Sequence, residues 1–302
     1  MKTFVFLSIF FISGLNLASA QQAKLSFNPE KGTKYEYHTE IVQNIKTTVM
    51  GQEVPAEMMM RINYQMEILD KAEQGVTVQF TYNEIAHTVS SLYMKMGYDS
   101  KKPVENPSDI DGMLSKMFGE MLGKSFLAVI APDGSVQSIS GMEAIGERMT
   151  NAIAGDGQMI AQLGAQMKEQ FNDSAMKNML EQSFKFYPSN PVRVGNSWNI
   201  ENATTISNIN VVSKSKYTLR SINRNIAAVA VDTKIEMNPD SSAMEGNIGG
   251  TQKGSMTIDS RTGIPLTGKF TQNIKGSVKA QGVDVQMEIV SESKSTTKRI
   301  NN

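Results

Sequence analysis

The sequence predicts a β-rich α+β fold: two curved antiparallel β-meanders with a central Met-rich helical block packed on the sheet. Three observations predict it. Apolar residues recur with period two from Lys34 to Tyr98 and again from Trp198 to Ile289, the spacing of half-buried strands. Between these stretches the spacing lengthens to that of amphipathic helices. A joint, Tyr187-Pro188-Ser189-Asn190-Pro191-Val192-Arg193-Val194-Gly195-Asn196-Ser197-Trp198, divides the helical part from the second β part and holds two of nine prolines and the only tryptophan.

Residues 1–20 read as a secretory signal peptide. Lys2 is the charged start, Phe4 to Leu17 the apolar run, and Ala18-Ser19-Ala20 a small-residue site that places cleavage between Ala20 and Gln21. The run is shorter than the ~20 residues of a spanning helix. No later stretch is long and apolar enough to span as a helix, and no cysteine follows for lipid anchoring. The expected location is periplasmic or secreted. Removal of the signal leaves 282 residues (302 less 20), and 30 basic residues less Lys2 against 30 acidic ones give a net charge of −1. That balance offers nothing to nucleic acid. The absence of cysteine excludes disulfides, thiolate metal sites and a cysteine nucleophile.

The N-terminal β-meander is assigned to 21–107. Tyr35, Tyr37, Ile41, Ile45 and Val49 share one parity of a first strand. After Gly51-Gln52, a second strand places Met58, Met60, Ile62, Tyr64, Met66 and Ile68 on one face. A third run starts at Val76, Val78, Phe80 and Tyr82 and reaches Tyr98, with its parity broken between Glu84 and Ser91. A bulge or bend at Asn83 to Thr88 repairs the pattern and turns Glu84 to solvent.

The helical block is assigned to 108–186. Met113, Leu114, Met117, Phe118, Met121 and Leu122 trace an apolar helix face. A β-hairpin at 126–139 turns at Pro132-Asp133-Gly134. Ser140-Gly141-Met142-Glu143 reads as a capping box. Ala154 to Gly157 breaks the helix it starts, and Met159, Ile160, Leu163 and Met167 mark another. A last helix, capped at Asn172 or Asp173, ends at the joint, because each proline removes a donor and restrains the residue before it. Asp173-Ser174-Ala175 also matches a three-residue O-glycosylation pattern, and the cap reading is preferred.

The C-terminal β-meander is assigned to 187–302. Its punctuation parallels the first. Gly195-Asn196-Ser197-Trp198 opens it as Gly32-Thr33-Lys34-Tyr35 opens the other, and Tyr217 precedes Val229-x-Val231 as Tyr64 precedes Val76-x-Val78. Ile130 and Ile258 each enter a Gly turn. Two readings stay open: an internal repeat, or the punctuation common to all meanders. Pro188, Pro191, Gly195 and Trp198 are structural in either case, with Trp198 expected to be a buried anchor.

No catalytic constellation stands out. The two histidines, His38 and His87, lack ligand-like neighbours at metal spacing, and no G-x-S-x-G elbow, P-loop or dinucleotide fingerprint occurs. The expectation is a non-enzyme with no cofactor and no metal. Methionine is the unusual feature: 21 in the chain, nine of them between 108 and 185. They read as core filler, as an adaptable apolar surface, or as soft Cu(I) ligands, with core filler favoured. Met113, Met117, Phe118, Met121, Met159, Leu163 and Met167 are the candidate ligand-binding residues.

The motif Pro188-x-x-Pro191-Val192-x-Val194-Gly195-x-Ser197-Trp198, with the later turn Asp259 to Gly263, resembles a family of exported Bacteroidota proteins of unknown function and similar length. The resemblance covers most of the mature chain and brings no catalytic residue. Curved sheets covered by helices also resemble the half-barrels of periplasmic lipid carriers, a fold-level analogy. The expected function is an exported binding module for an apolar ligand or protein segment held between sheet and helices. The alternative is a structural or interaction protein of the envelope with a filled core, and a distant third is an enzyme with an unrecognised site. A cavity of at least ~300 Å3 would favour the first reading.

Overall fold

The computed structural model describes residues 22–102, 109–153, 158–206, 209–237, 246–280 and 283–300. The expected signal peptide, with Ala20 and Gln21, and the breaker at Ala154 to Gly157 lie outside the described residues. In the first half, β1 (Gln22–Ala23) precedes β2 (Lys34–Val49), β3 (Gln52–Ala72), β4 (Gly75–Ser91) and β5 (Lys95–Asp99). Helix α1 (Ile110–Gly119) leads to the hairpin β6 (Ser125–Ile130) and β7 (Val136–Ser140), then α2 (Met142–Ala152), α3 (Gln158–Gln170) and α4 (Asp173–Phe184). After the joint come β8 (Val192–Arg193), β9 (Ser197–Ile206), β10 (Ile209–Asn223), β11 (Ile226–Met237), β12 (Gly246–Asp259), β13 (Pro265–Ala280) and β14 (Val283–Ile300).

Both meanders belong to one open sheet with strand order β7-β6-β4-β3-β2-β14-β13-β12-β11-β10-β9. The last strand, β14, pairs antiparallel with β2 along its length, from Val285 opposite Val49 to Ile300 opposite Lys34. Strand β5 adds to the far half of β4, and β1 pairs separately with β8. The third run expected to reach Tyr98 is therefore two strands, turned at Leu92 to Met94.

The sheet is rolled. Phe80 on β4 and Tyr217 on β10 stand seven strands apart, about 34 Å if the sheet were flat. Yet the rings of Phe80 and Phe184 are 6.3 Å apart, as are those of Phe186 and Tyr217, and two residues of chain reach no more than ~7 Å. Glycines on β12 help form the corner. A Cβ on Gly250 or Gly254 would overlap the carbonyl oxygen of Asn273 or Lys269 on β13, so only glycine permits this approach. A strap before β2 pinches one end. Phe27 N–H donates to Pro132 O at 2.8 Å and Asn28 N–H to Thr262 O at 2.8 Å, joining turns from opposite halves of the sheet.

The main core lies at this strapped end. Leu25 and Phe27 of the strap, Met66, Ile68, Val78 and Phe80 of the first meander, Leu219, Val229 and Ile258 of the second, and Met142, Met149, Met176 and Phe184 of the helices are all buried there. Helix α1 is capped by Asp109, which accepts from Gly112 N–H at 2.9 Å, and is tied to β5 where Gly97 N–H donates to Asp111 at 2.8 Å. The capping box expected at Ser140 is absent. The cap residue of α2 is Gly141 in the left-handed region, and the α2 donors Met142 N–H and Glu143 N–H go instead to Asp173, at 2.8 and 3.2 Å. Asn172 caps α4, accepting from Ala175 N–H at 2.9 Å. A cap supplied from another helix leaves no local sequence signal.

The expected bulge is present. Tyr64 faces Tyr82 while Asn63 faces Glu84, leaving Asn83 unopposed. Glu84 moves to the convex face but does not reach solvent. It is 5% exposed, held by Arg61 at 2.8 Å and Lys101 at 2.6 Å.

The two meanders open alike. Gly32 N–H donates to Ile68 O, and Ile68 N–H returns to Thr33 O, at 2.8 and 2.9 Å. Gly195 N–H donates to Leu219 O, and Leu219 N–H returns to Asn196 O, at 2.7 and 3.0 Å. Trp198 stacks on Tyr217 at 5.5 Å and donates to Phe186 O at 2.7 Å. It is half-buried rather than buried, because β9 is the edge strand.

Candidate functional site: an uncharged trough

Strand register assigns each side chain to a face. The row Met58, Gln43, Ser291, Gln272, Gln252, Thr233 and Ser215 crosses seven neighbouring strands on the concave side. Stepping by two along each strand gives the rest of that face. From β3 through β10 its charges stand only at the strapped end, where Arg299 lies opposite Tyr35 and 3.9 Å from Glu30; from the polar row to the far end it carries none among the described residues. On β2 it reads Tyr35, Tyr37, Thr39, Ile41, Gln43, Ile45, Thr47, Val49, and the opposite parity reads Glu36, His38, Glu40, Lys46. From the polar row to the far end this face therefore disfavours ions and favours apolar or neutral hydrogen-bonding groups.

Three zones divide the concave face. Nearest the strap is the helix-covered core. Next, α4 and the residues after it roof a cleft of about 230 Å3. Its lining mixes hydroxyls, from Thr39, Ser293, Ser295 and Thr297, with the apolar and aromatic side chains of Tyr64, Met66, Phe184, Tyr217 and Phe270. Of the lining residues only Lys294 carries a charge, and it stands exposed at the rim. Burial raises the pKa of Tyr64 far above the ordinary phenol value and raises that of Tyr37 as well, so both hydroxyls are neutral at physiological pH. The cleft is smaller than the ~300 Å3 expected of a full ligand cavity, because Leu25, Phe27 and Met66 fill the space beneath the helices.

Beyond the polar row the concave face turns aliphatic. Ile45, Ile289 and Ile274 form one row, and Val49, Val285 and Val278 another. Val211, Ile235, Ile248 and Val278 make a second apolar cluster, flanked by Met237, Ile274, Val285 and Met287, with no helical member among the described residues. Ile45, Ile274, Ile289, Met58 and Met60 are only half-buried. At this end the hairpin tips expose Met50, Leu92 and Tyr93, at 82, 73 and 80%.

The convex face is charged. A groove of about 620 Å3 there is lined by Lys46, Glu53, Lys275 and Glu288 among others. Its charges are paired, Lys46 to Glu53 and Lys275 to Glu288, each at 2.8 Å. Arg61 bridges Glu84 and Asp99, the latter at 3.2 Å. Burial acts to raise the Glu84 pKa, but hydrogen bonds and charge from Lys101 and Arg61 outweigh it and hold the carboxyl below its usual value.

The methionine candidates stand elsewhere. Met117 and Met121 are buried in the main core, and Met113, Phe118 and Met167 are half-buried against it. The side chains of Met159 and Leu163 lie outside the described residues. Neither concavity described above is lined by any of these residues. His38 is on the convex face opposite Asn63, and His87 is on the concave face opposite Met60, so the two cannot share a site. Burial lowers the His87 pKa. Among the described residues no group of three or more His, Asp or Glu is placed to hold a metal ion, and no helix is long and apolar enough to cross a membrane. Sequence reasoning missed the trough because it placed the ligand among helices. The signal was available in the parity of β13 and β14, where, Arg299 apart, charges fall on one face only.

The molecule is thus an open, rolled antiparallel sheet with an uncharged interior and a helical cap at one end. The chain belongs to a family of unknown function, DUF6263, whose profile matches residues 73–265. No curated protein matches it. Among solved structures it is similar to lipovitellin, from a study of lipid–protein interactions, with a TM-score of 0.50 and 8% identity, covering 89% of this chain and 25% of that one. The chain thus spans about a quarter of lipovitellin's length, and the likeness is one of fold. Pseudomonas aeruginosa OccK7 (TM-score 0.25, 6% identity, covering 89% of this chain and 100% of that one) is too distant to define a shared fold. So is an outer membrane channel from Pseudomonas putida (TM-score 0.21, 6% identity, covering 90% and 98%).

Proposed function

We propose that this protein is an exported, non-enzymatic binding module that carries an apolar, lipid-like ligand in the trough of its sheet. The observation that carries the reading is the concave face, free of charge from β3 to β10 outside the strapped end, where Arg299 stands, and aliphatic where no helix of the described structure covers it. A sheet face of that kind, left half-exposed beside charged convex positions, marks a binding surface. The fold shared with lipovitellin supports the same reading. In it the ligand lies against the sheet and the cleft under α4, and the methionine helices form the packed roof.

The reading has a direct test. A neutral fluorescent probe such as N-phenylnaphthylamine gains emission in an apolar site. Saturable binding at micromolar concentration, lost in Ile274→Glu, is expected. Absence of saturable binding to delipidated protein would overturn the proposal.

A second reading, an envelope interaction protein with a filled core, is favoured by one observation: the cleft holds only about 230 Å3. Export to the periplasm or beyond predicts a mature N-terminus at Gln21, which N-terminal sequencing reads directly.

The two meanders are read as copies of one unit. Their matching openings at Gly32 and Gly195 support this, as do register shifts after Ile68 and after Leu219. Further support comes from the shifts at Ile130 and Ile258, which enter equivalent turns.

A further inference from the structure

The polar row lies between the aliphatic end and the hydroxyl-bearing cleft. Gln43, Ser291, Gln272 and Gln252 come from four adjacent strands and meet on the concave face. Two of them make a long hydrogen bond, Gln272 Nε2 to Gln252 Oε1 at 3.4 Å. Ser291, 5% exposed, has its hydroxyl buried with no partner. Native proteins seldom leave a buried hydroxyl unsatisfied. Here the unpaired group faces the same trough that the proposed ligand occupies, and Ser293 and Ser295 continue the hydroxyl stripe along β14 into the cleft.

Resting on that functional reading, we infer that the ligand is a single-chain amphipathic lipid with an uncharged, hydrogen-bonding head group, held at the row centred on Ser291. The head takes hydrogen bonds from the glutamine amides and fills the vacancy at the Ser291 hydroxyl. Its chain runs toward Val285. Six residues of strand give about 20 Å for it, against roughly 15 Å for one leaflet's share of a bilayer core. A charged head is excluded, since a buried ion needs a counter-charge and the concave face supplies none near the row: Arg299 stands eight residues along β14 from Ser291, at the strapped end. The groups facing the row are hydroxyls and amides, with Tyr37, Tyr64 and Tyr217 nearby as neutral phenols.

The experiment compares monopalmitoylglycerol with palmitate at pH 8, by displacement of N-phenylnaphthylamine from the delipidated mature protein. Monopalmitoylglycerol should compete about tenfold more strongly, the weight of one or two hydrogen bonds. Ser291→Val should cost that advantage, read as the ratio of the two competitors' potencies within the variant, and Gln272→Met provides the same test if the serine variant does not fold. Equal competition by palmitate, or an unchanged preference in both variants, would overturn the head-group assignment while the trough still binds the probe. Failure of the probe itself to bind would instead remove the underlying functional reading, and this inference with it.

Discussion

The two ends of one sheet make the instructive comparison. At the strapped end Ile68, Val78 and Leu219 are fully buried beneath the strap and helices. At the other end Ile45, Ile274 and Ile289 keep the same alternation on the same or neighbouring strands, yet remain half-buried. Binary pattern is identical at both ends, so pattern does not decide which end packs. The cover decides it, and the cover comes from elsewhere in the chain: Leu25 and Phe27 before β2, and Phe184 at the end of α4. The packed end supplies stability, while the other end, with no helical member among the described residues, is the one to which the proposed function assigns binding.

Substitutions should separate the ends by size of effect. The largest loss is expected for Phe184→Ala, which touches both Phe27 and Phe80 and should cost about 3–5 kcal/mol. Ile274→Ala should cost well under half of that in urea unfolding. Equal losses would mean that the far end is also a packed core.

Arg61→Ala should come next, at about 2–3 kcal/mol, because it leaves the buried Glu84 with Lys101 alone. The pH dependence follows from the same group. Its folded pKa is depressed below the ordinary 4.5, so its stabilisation is complete above that value and is lost as pH falls through the folded pKa. Glu84→Gln should flatten the acid limb of the stability profile below pH 4.5, and an unchanged limb would assign acid sensitivity elsewhere.

Smaller again is the bend at β12. Gly250→Ala puts a methyl against Asn273 O and should cost about 1–3 kcal/mol, with probe binding altered because the trough widens or flattens. Smallest is Tyr93→Ser at an exposed tip, which should shift stability by less than about 0.5 kcal/mol.

Much of this was legible in the chain. Strand parity located both meanders, the bulge at Asn83 and the division at Pro188 and Pro191. Long-range pairings were not legible. Nothing local states that β14 meets β2, or that Asp173 caps α2 from another helix. Glu84 illustrates the same limit, since its burial depends on Lys101 and Arg61 arriving from neighbouring strands and loops. The trough was not read from the sequence for a related reason. Methionines drew attention to the helices, whereas the signal for the trough was the scarcity of charge on the inner parity of β11 to β14, where Arg299 stands alone among the described residues, and that parity becomes a surface only once the sheet is rolled.

The central claim is that the uncovered end carries an apolar ligand. Native mass spectrometry of the protein purified from its native cells tests it most directly. The account predicts a bound species of lipid mass that is absent from a folded Ile274→Glu variant. A bare polypeptide mass for the wild-type chain, identical in the variant, would contradict it.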